Sequence, residues 1–200
     1  MKPGSRSLGI AFSDGPERSR IGGALVRVNG RVDDLVGGSC DVGGTDATAA
    51  VIDIFETLDR EDVRRLVIAG IAPAWFNLVD LRTVHRAVDR PVLSVSFEAS
   101  PGLEPAIREA FDGDERRDRL AIYRSLPDRH RVGIGGSGVD GDSIEDETTS
   151  DLFVRSAGIE PERADEIVRA LRINDAQRPE PVRVAKRTAR AFRRFAAAPE

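Results

Sequence analysis

The sequence predicts an α/β domain built on a mixed sheet, with an antiparallel three-strand meander followed by parallel strands and crossover helices. Three β-type segments with short connections open the chain, and apolar strands then alternate with amphipathic helices. Such alternation is typical of parallel strands, because a parallel pair needs a long crossover connection. A chain of 200 residues with 40% hydrophobic content can bury one sizeable core. We therefore expect a single domain spanning residues 1–200.

The meander is predicted from three β-type segments and one turn. Asn29-Gly30, the strongest short hairpin signal, separates the second segment from the third. The predicted strands are Ser5–Asp14, Arg20–Val28 and Arg31–Val42. A first helix is expected over Thr45–Leu58, where apolar residues recur at helical spacing and Gly44 or Thr45 is placed at the N-cap.

The second half alternates strand and helix. Strands are predicted at Arg64–Ile71, Pro91–Phe97 and Leu152–Arg155, and helices near Val79–Val88, Leu103–Phe111, Glu115–Leu126, Pro161–Leu171 and Val182–Phe195. The segment His130–Asp151 is rich in Gly, Asp, Glu, Ser and Thr, which predicts a mobile loop. A meander followed by strands reached through helices is the order of a ribonuclease H-like mixed sheet. That fold groups carboxylates at the ends of its central strands.

The stretch Arg65–Asp80 is predicted to be the centre of the fold. It contains a short apolar run typical of a strand covered on both faces, and then a turn around Pro73. Trp75-Phe76-Asn77 follows, which we expect to lead into the next helix. A turn after a central strand is a natural place for a ligand.

Composition excludes several classes of protein. Cys40 is the only cysteine, so no internal disulfide forms, and with two histidines it cannot build the usual four-ligand zinc site. No apolar segment approaches the roughly 18–20 residues of a membrane span, and the N-terminus lacks an apolar signal region. We expect a soluble cytoplasmic protein without a membrane partner. The glycine run 133–138 matches a dinucleotide-binding pattern but follows no strand, and is rejected as such.

Net charge of −4 does not by itself indicate a polyanion-binding protein. The last helix nevertheless carries a basic stripe, which either tracks a phosphate backbone or forms a solvated face. Its members are Arg183, Lys186, Arg187, Arg190, Arg193 and Arg194. Gly43-Gly44-Thr45, at the start of the first helix, is a second candidate for phosphate binding through backbone N–H groups.

Five carboxylates follow predicted strands or begin helices: Asp14, Asp41, Asp46, Asp80 and Glu98. Two or three converging carboxylates suffice to hold magnesium for phosphoryl transfer. Three of them also have a structural interpretation: Asp14 as a turn residue, Asp46 as a favourable charge at a helix N-terminus, and Asp80 as an ordinary N-terminal helix residue.

Three separated motifs resemble the archaeal endonuclease dU family, which is related to endonuclease V and shares its ribonuclease H-like fold. They are Asp41–Thr48 with Gly-Thr-Asp-Ala-Thr, Ala69–Asp80 with Phe-Asn-x-x-Asp, and Arg178–Ala185 with Pro-Glu-Pro-x-Arg. The resemblance implies an endonuclease, dependent on Mg²⁺ or Mn²⁺, that cuts DNA near a deaminated base such as deoxyuridine. RNA is left open as a further substrate.

The strand-end carboxylates and the resemblance together give two sets of expected site residues. Asp14, Asp41 and Asp46 would be catalytic and hold the metal. The substrate-binding set would be Gly44, Thr45, Trp75, Phe76, Asn77, Asp80 and Arg183, with Arg183 on a phosphate and the two aromatic rings either stacking on an exposed base or capping the core.

The chain departs from the family pattern at two places. Ala69 stands where family members commonly carry Asp, and Gly9-Ile10 is followed by Ala11 and Phe12 before the first acid, Asp14. An alternative is therefore a non-catalytic nucleic-acid-binding protein of the same fold. A third hypothesis, a nucleotide-binding domain using the Gly-Gly-Thr turn, fits the basic last helix less well.

Overall fold

Seven strands form one mixed sheet in the order β3-β2-β1-β4-β5-β7-β6. The computed structural model describes residues 1–2, 4–97, 99–133, 152–173 and 176–196. The strands are β1 (Arg6–Asp14), β2 (Arg18–Arg27), β3 (Val32–Asp41), β4 (Val63–Ala69), β5 (Val92–Ser96), β6 (His130–Val132) and β7 (Leu152–Ala157). The predicted ribonuclease H-like order is confirmed, because β1, β2 and β3 are antiparallel neighbours and β4 and β5 run parallel to β1.

Helices connect and cover these strands. They are α1 (Ala47–Leu58), α2 (Pro73–Phe76), α3 (Leu81–Val88), α4 (Glu104–Ala110), α5 (Gly113–Ser125), α6 (Pro161–Ala170) and α7 (Glu180–Ala196). None of the described helices is long and apolar enough to cross a membrane.

The far edge of the sheet corrects one sequence prediction. His130–Val132, expected to begin a mobile loop, forms β6 and pairs antiparallel with β7, because Val132 is buried in the core. β7 in turn pairs antiparallel with β5, so this edge is not a continuation of the parallel strands. The rest of the predicted loop, from residue 134 to 151, lies outside the described residues, as does Glu98.

The two faces of the sheet are covered differently. Alternation along β1 sends Leu8, Ile10 and Phe12 toward α1 and α3, where they join the largest core cluster. The intervening positions Gly9 and Ala11 face α7.

Helix α7 lies unusually close to the sheet. A side-chain carbon added to Gly22 would lie 2.4 Å from the carbonyl oxygen of Ala185, and one added to Gly9 would lie 2.1 Å from that of Pro181. Small residues under α7 are therefore required by the close approach of its backbone.

Two helix starts differ from prediction. The N-cap of α1 is Asp46, neither Gly44 nor Thr45, and its side chain makes no capping bond. Helix α3 begins at Leu81, and Trp75-Phe76-Asn77 belongs to a separate turn before it. The carboxylate of Asp46 has other partners, which define the candidate site.

Candidate functional site

A buried amide joins the two most distinctive motifs. Asn77, fully buried, donates from Nδ2 to Asp46 Oδ1 at 2.6 Å and to the carbonyl oxygen of Asp41 at 2.8 Å. Its Oδ1 accepts from the N–H of Ala47 at 2.9 Å. One side chain thus fixes the end of β3, the start of α1 and the orientation of the Asp46 carboxylate.

A second contact joins the same motifs one turn further on. Thr48 Oγ1 donates to the carbonyl oxygen of Leu78 at 3.2 Å and accepts from the N–H of Asp80 at 3.0 Å. The carboxylate of Asp80 caps α3 through the N–H groups of Arg82 and Thr83, and accepts the Thr83 hydroxyl at 2.5 Å. The role seen for Asp80 is therefore that of a helix cap.

Backbone strain is concentrated inside the second motif, Ala69–Asp80. Ala74, Trp75 and Phe76 all have left-handed φ values of 48°, 57° and 56°. The left-handed region costs L-residues about 1–2 kcal/mol each, so this single turn, α2, is held by its surroundings. Two bonds hold it: the N–H of Gly43 donates to the Ala74 carbonyl at 2.7 Å, and that of Asn77 to the Pro73 carbonyl at 3.0 Å.

The left-handed turn exposes one aromatic ring and partly covers the next. The Trp75 side chain is 60% exposed. The Phe76 ring packs edge-on against Phe111, with 5.8 Å between centroids. Arg119 is itself buried, and its guanidinium carbon lies 3.9 Å from the centre of the Phe111 ring. It also donates a hydrogen bond to the Gly43 carbonyl oxygen at 2.6 Å. Of the two predicted stacking residues, Trp75 is exposed to solvent, whereas Phe76 is half-buried against Phe111.

The three predicted metal-binding carboxylates lie at or just after the carboxyl ends of β1 and β3. Each accepts a hydrogen bond from a different group. Asp14 Oδ1 accepts the Ser19 hydroxyl at 2.6 Å, and Asp41 Oδ1 forms an ion pair with Arg18 at 2.6 Å. The Asp46 carboxylate accepts the N–H of Asp41 at 3.1 Å. Among the described residues no group of three or more His, Cys, Asp or Glu side chains is placed to hold one ion. The structure therefore does not bring Asp14, Asp41 and Asp46 into a single three-carboxylate cluster.

Cys40, next to Asp41 in β3, is a buried thiol whose pKa is affected by these acids. Its thiol is fully buried at the end of β3, opposite Ser19 of β2. Burial raises the pKa of this thiol to about 12, and the negative charges of Asp46 and Asp14 add to the effect.

Cations from α7 and β2 border the acids. Lys186 donates from Nζ to the carbonyl oxygen of Phe12, and Arg193 donates to that of Asp14 at 2.7 Å. Burial lowers the pKa of the Lys186 ammonium, while Asp14 raises it. Lys186 is one of only two lysines in an arginine-rich chain.

Two predicted phosphate contacts are already engaged. The N–H groups of Gly43 and Gly44 donate to the carbonyls of Ala74 and Asp41, so they are not free to cradle a phosphate. Arg183 is paired with Glu180, its Nε donating at 2.6 Å, and the charge of Arg183 lowers the pKa of that carboxyl. Thr45 is exposed at the start of α1. The nucleotide-binding hypothesis thus loses two of the three backbone donors in the Gly-Gly-Thr turn.

Comparison with known proteins decides the family. Residues 3–193 match the sequence model of the family described as Endonuclease dU. The chain belongs to the Endonuclease dU family. A UPF0215 protein of Pyrobaculum calidifontis is 28% identical over 178 residues, covering 88% of this chain and 90% of the relative.

Solved structures agree with the fold. A protein of unknown function from Archaeoglobus fulgidus superposes with a TM-score of 0.78 at 26% identity, covering 94% of this chain and 97% of its own. Endonuclease V of Ciona intestinalis, solved with a 24mer DNA containing an inosine followed by a ribo-adenosine, superposes with a TM-score of 0.59 at 11% identity, covering 96% and 87%. The fold is thus ribonuclease H-like, of the endonuclease V kind.

Ala69, where the resemblance led us to expect an acid, lies in a packed cluster. Ala69 ends β4 and packs with Ala11 and Ala185 in the cluster under α7. Ala11 is fully buried in this apolar cluster, so a carboxylate at position 11 would be a costly unpaired charge, whereas Ala69 is half-buried at its border. The two departures noted in the sequence are therefore neighbours on one face of the sheet.

A smaller metal site remains compatible with the residues present. A side-chain carbon built on Gly44 would lie 2.9 Å from both Asp41 Cβ and Asp46 Oδ1, so glycine leaves a cradle between the two acids. Mg²⁺ is often held by one or two carboxylates, with water and substrate phosphate completing its shell. Asp41 and Asp46 fit that donor set.

Proposed function

We propose that this protein is a divalent-metal-dependent endonuclease that cuts DNA containing deaminated bases, deoxyuridine or similar. The observation that carries the proposal is the pair Asp41 and Asp46 at the Gly44 cradle, fixed by buried Asn77 next to exposed Trp75. Membership of the Endonuclease dU family and the endonuclease V fold support an activity on DNA.

Asp41 and Asp46 would hold Mg²⁺ or Mn²⁺. When bound, such an ion activates water and offsets charge on a phosphate under attack. The protein's own contribution is to orient the two carboxylates. The Asn77 amide fixes the orientation of the Asp46 carboxylate, and the ion pair with Arg18 restricts the rotation of the Asp41 side chain. A site whose acids are held in this way needs little rearrangement when substrate arrives.

Basic residues beside the acids suit the phosphate backbone. Arg18, Arg20 and Arg193 line a groove of about 270 Å³, together with one acid, Glu17. Arginine contacts to phosphate position the strand without reading its sequence. Trp75 would stack on a base, since every base offers a π-face.

A nicking assay tests the proposal. Duplexes containing one deoxyuridine or deoxyinosine are incubated with Mg²⁺, Mn²⁺ or EDTA over a range of KCl, because phosphate binding weakens as salt rises. We expect metal-dependent nicking that is lost in Asp41→Asn and Asp46→Asn and kept in Asp53→Asn, an exposed acid of α1. Undiminished nicking by Asp46→Asn would sink the metal-site assignment.

The second candidate is a non-catalytic protein that binds the same DNA. It is favoured by Ala69, which stands where the resemblance predicted an acid and packs with Ala11 under α7. It predicts lesion binding that is equal in EDTA and in Mg²⁺, with no nicking under either condition. The same assay, read together with a binding titration, separates the two candidates.

A further inference from the structure

Arg119 of α5 is the most deeply buried charged residue in the described part of the chain, with 3% of its surface exposed. Its guanidinium lies 3.9 Å from the carboxylate of Glu115, whose side chain is largely in solvent. Its Nε has no hydrogen-bond partner among the described residues. Burying a cation without a buried carboxylate beside it costs stability. A stabilising role alone therefore does not explain why a cation is placed here.

The guanidinium of Arg119 binds the loop between β3 and α1, which connects the two acids. Nη2 donates to the carbonyl oxygen of Gly43 at 2.6 Å and to that of Gly44 at 3.4 Å. Nη1 donates to the carbonyl oxygen of Glu115, within α5, at 3.3 Å. Because one rigid, planar group bonds both the loop and its own helix, it fixes the distance between them.

Gly43 is held from both sides. Its N–H donates to the carbonyl oxygen of Ala74 in the left-handed turn α2, and its C=O accepts from Arg119. The Phe111 ring, over which Arg119 lies, packs edge-on against Phe76 of the same turn. These contacts form a closed circuit through the loop, α2 and α5. Loss of the guanidinium would therefore release both the loop and the turn.

Gly44 connects this circuit to the acids. A side-chain carbon built on Gly44 would lie 2.9 Å from both Asp41 Cβ and Asp46 Oδ1. Its N–H also donates to the carbonyl oxygen of Asp41 at 3.3 Å. A shift of the Gly44 backbone therefore changes the separation of the two carboxylates.

We propose that Arg119 is a positioning residue: it holds Gly43 and Gly44, and thereby the separation of the two acids at which a divalent cation binds. Because it is buried, it acts through the loop and not on the substrate. Groups one step behind the metal ligands typically change metal affinity about 10–100-fold when they are removed. The inference rests on the proposed function, since it requires a cation at Asp41 and Asp46.

Metal binding without catalysis tests it. Arg119→Lys keeps the charge but replaces the planar fork with one ammonium, which cannot span the same carbonyls. Mn²⁺ binding is followed by electron paramagnetic resonance of the free ion, at a temperature where each variant is fully folded. Affinity for the site that Asp46→Asn removes should fall about 10–100-fold. Arg117→Lys, the same change at an exposed position of α5, should leave it unchanged; an equally unchanged Arg119→Lys would overturn the proposal.

Chemical rescue separates positioning from stability. Arg119→Ala leaves a space that fits a guanidinium ion, so added guanidinium chloride should restore Mn²⁺ affinity, whereas KCl at the same concentration should not. Guanidinium weakens folded proteins in general, so a purely stabilising Arg119 predicts a further loss. Recovery supports the proposal and a further loss contradicts it. If Arg119→Ala does not fold, the Arg119→Lys titration decides.

Trp75, the only tryptophan, provides a readout that needs no metal. A side-chain carbon built on Gly43 would lie 3.3 Å from Trp75 Cδ1, so the indole lies against the loop. In EDTA, Arg119→Lys should change the acrylamide quenching of Trp75 fluorescence and Arg117→Lys should not. If wild-type protein binds no Mn²⁺, the proposed metal site is refuted and this quenching alone decides the role of Arg119.

The two proposals fail in different ways. Wild-type protein that binds Mn²⁺ but nicks no DNA, with the affinity lost in Arg119→Lys, refutes the nuclease and leaves the positioning role standing. Metal-dependent nicking, with the same Mn²⁺ affinity in wild type and Arg119→Lys, does the reverse.

Discussion

The buried amide of Asn77 donates a 2.6 Å hydrogen bond to Asp46, and this bond connects two sequence motifs that lie 31 residues apart. Charge-assisted bonds of this length are among the stronger ones in proteins. The Gly-Thr-Asp-Ala-Thr and Phe-Asn-x-x-Asp motifs are thus one structural unit. Their side chains hold the end of β3, the start of α1 and the left-handed turn α2 in fixed relation.

Asn77→Ala should destabilise the fold by about 2–4 kcal/mol. The change leaves the buried N–H of Ala47 without its acceptor, and the Asp46 carboxylate without its amide donor. Urea unfolding measures the loss. Asn29→Ala is the matched control, because that amide is exposed in a turn and accepts one bond from Arg31. Equal losses in the two variants would contradict the network described for Asn77.

Gly44→Ala should destabilise the protein by about 1–3 kcal/mol, the usual cost of overpacking, and reduce nicking. The added methyl group would meet Asp41 Cβ and Asp46 Oδ1 at 2.9 Å, so one acid must move. Gly4→Ala, whose methyl group would have no atom within 4 Å, should leave both properties unchanged. Unfolding and nicking measurements on the pair check this; a silent Gly44→Ala would show that the cradle is not needed.

Trp75→Ala should weaken single-stranded DNA binding about tenfold, the value of one base–aromatic stack, with stability nearly unchanged because the ring is largely exposed. Anisotropy titrations at constant salt measure the first effect and thermal unfolding the second. Leu35→Ala removes another exposed apolar side chain, on the edge strand β3, and should not alter binding. If the two variants bind DNA alike, Trp75 is not a stacking residue.

Cys40 should resist alkylation in the native state well above pH 9, because its pKa is raised to about 12. A raised folded pKa contributes stability that is full below the unfolded thiol pKa and is lost as pH rises toward 12. Iodoacetamide labelling against pH, with and without urea, measures this shift. Asp46→Asn should lower the labelling pKa, since that charge contributes to it, whereas Asp53→Asn should not. If the labelling rate depends on pH in the same way with and without urea, Cys40 is not buried beside these acids.

Local patterns in the sequence were sufficient for most of the fold. Asn29-Gly30 predicted the β2–β3 hairpin, and the apolar run in β4 predicted a strand covered on both faces, because turn chemistry and side-chain period are properties of neighbouring residues. The motifs predicted the family. The short strand β6 was missed, since a three-residue strand has too little periodicity to be seen in a polar segment.

Tertiary structure decided what the candidate site residues do. Asp14, Asp41, Asp46, Asn77 and Asp80 were all named from the sequence, but only the folded chain shows that Asp80 caps a helix and that Asn77 holds Asp46. It also shows that Ala69 lies beneath α7. Arg155 is paired with Ser94 because β5 and β7 are neighbours in the sheet, although they are distant in sequence. Residue type fixes which bonds a side chain is able to make. Which of them form depends on partners brought close by long-range packing, and that information is not local in the sequence.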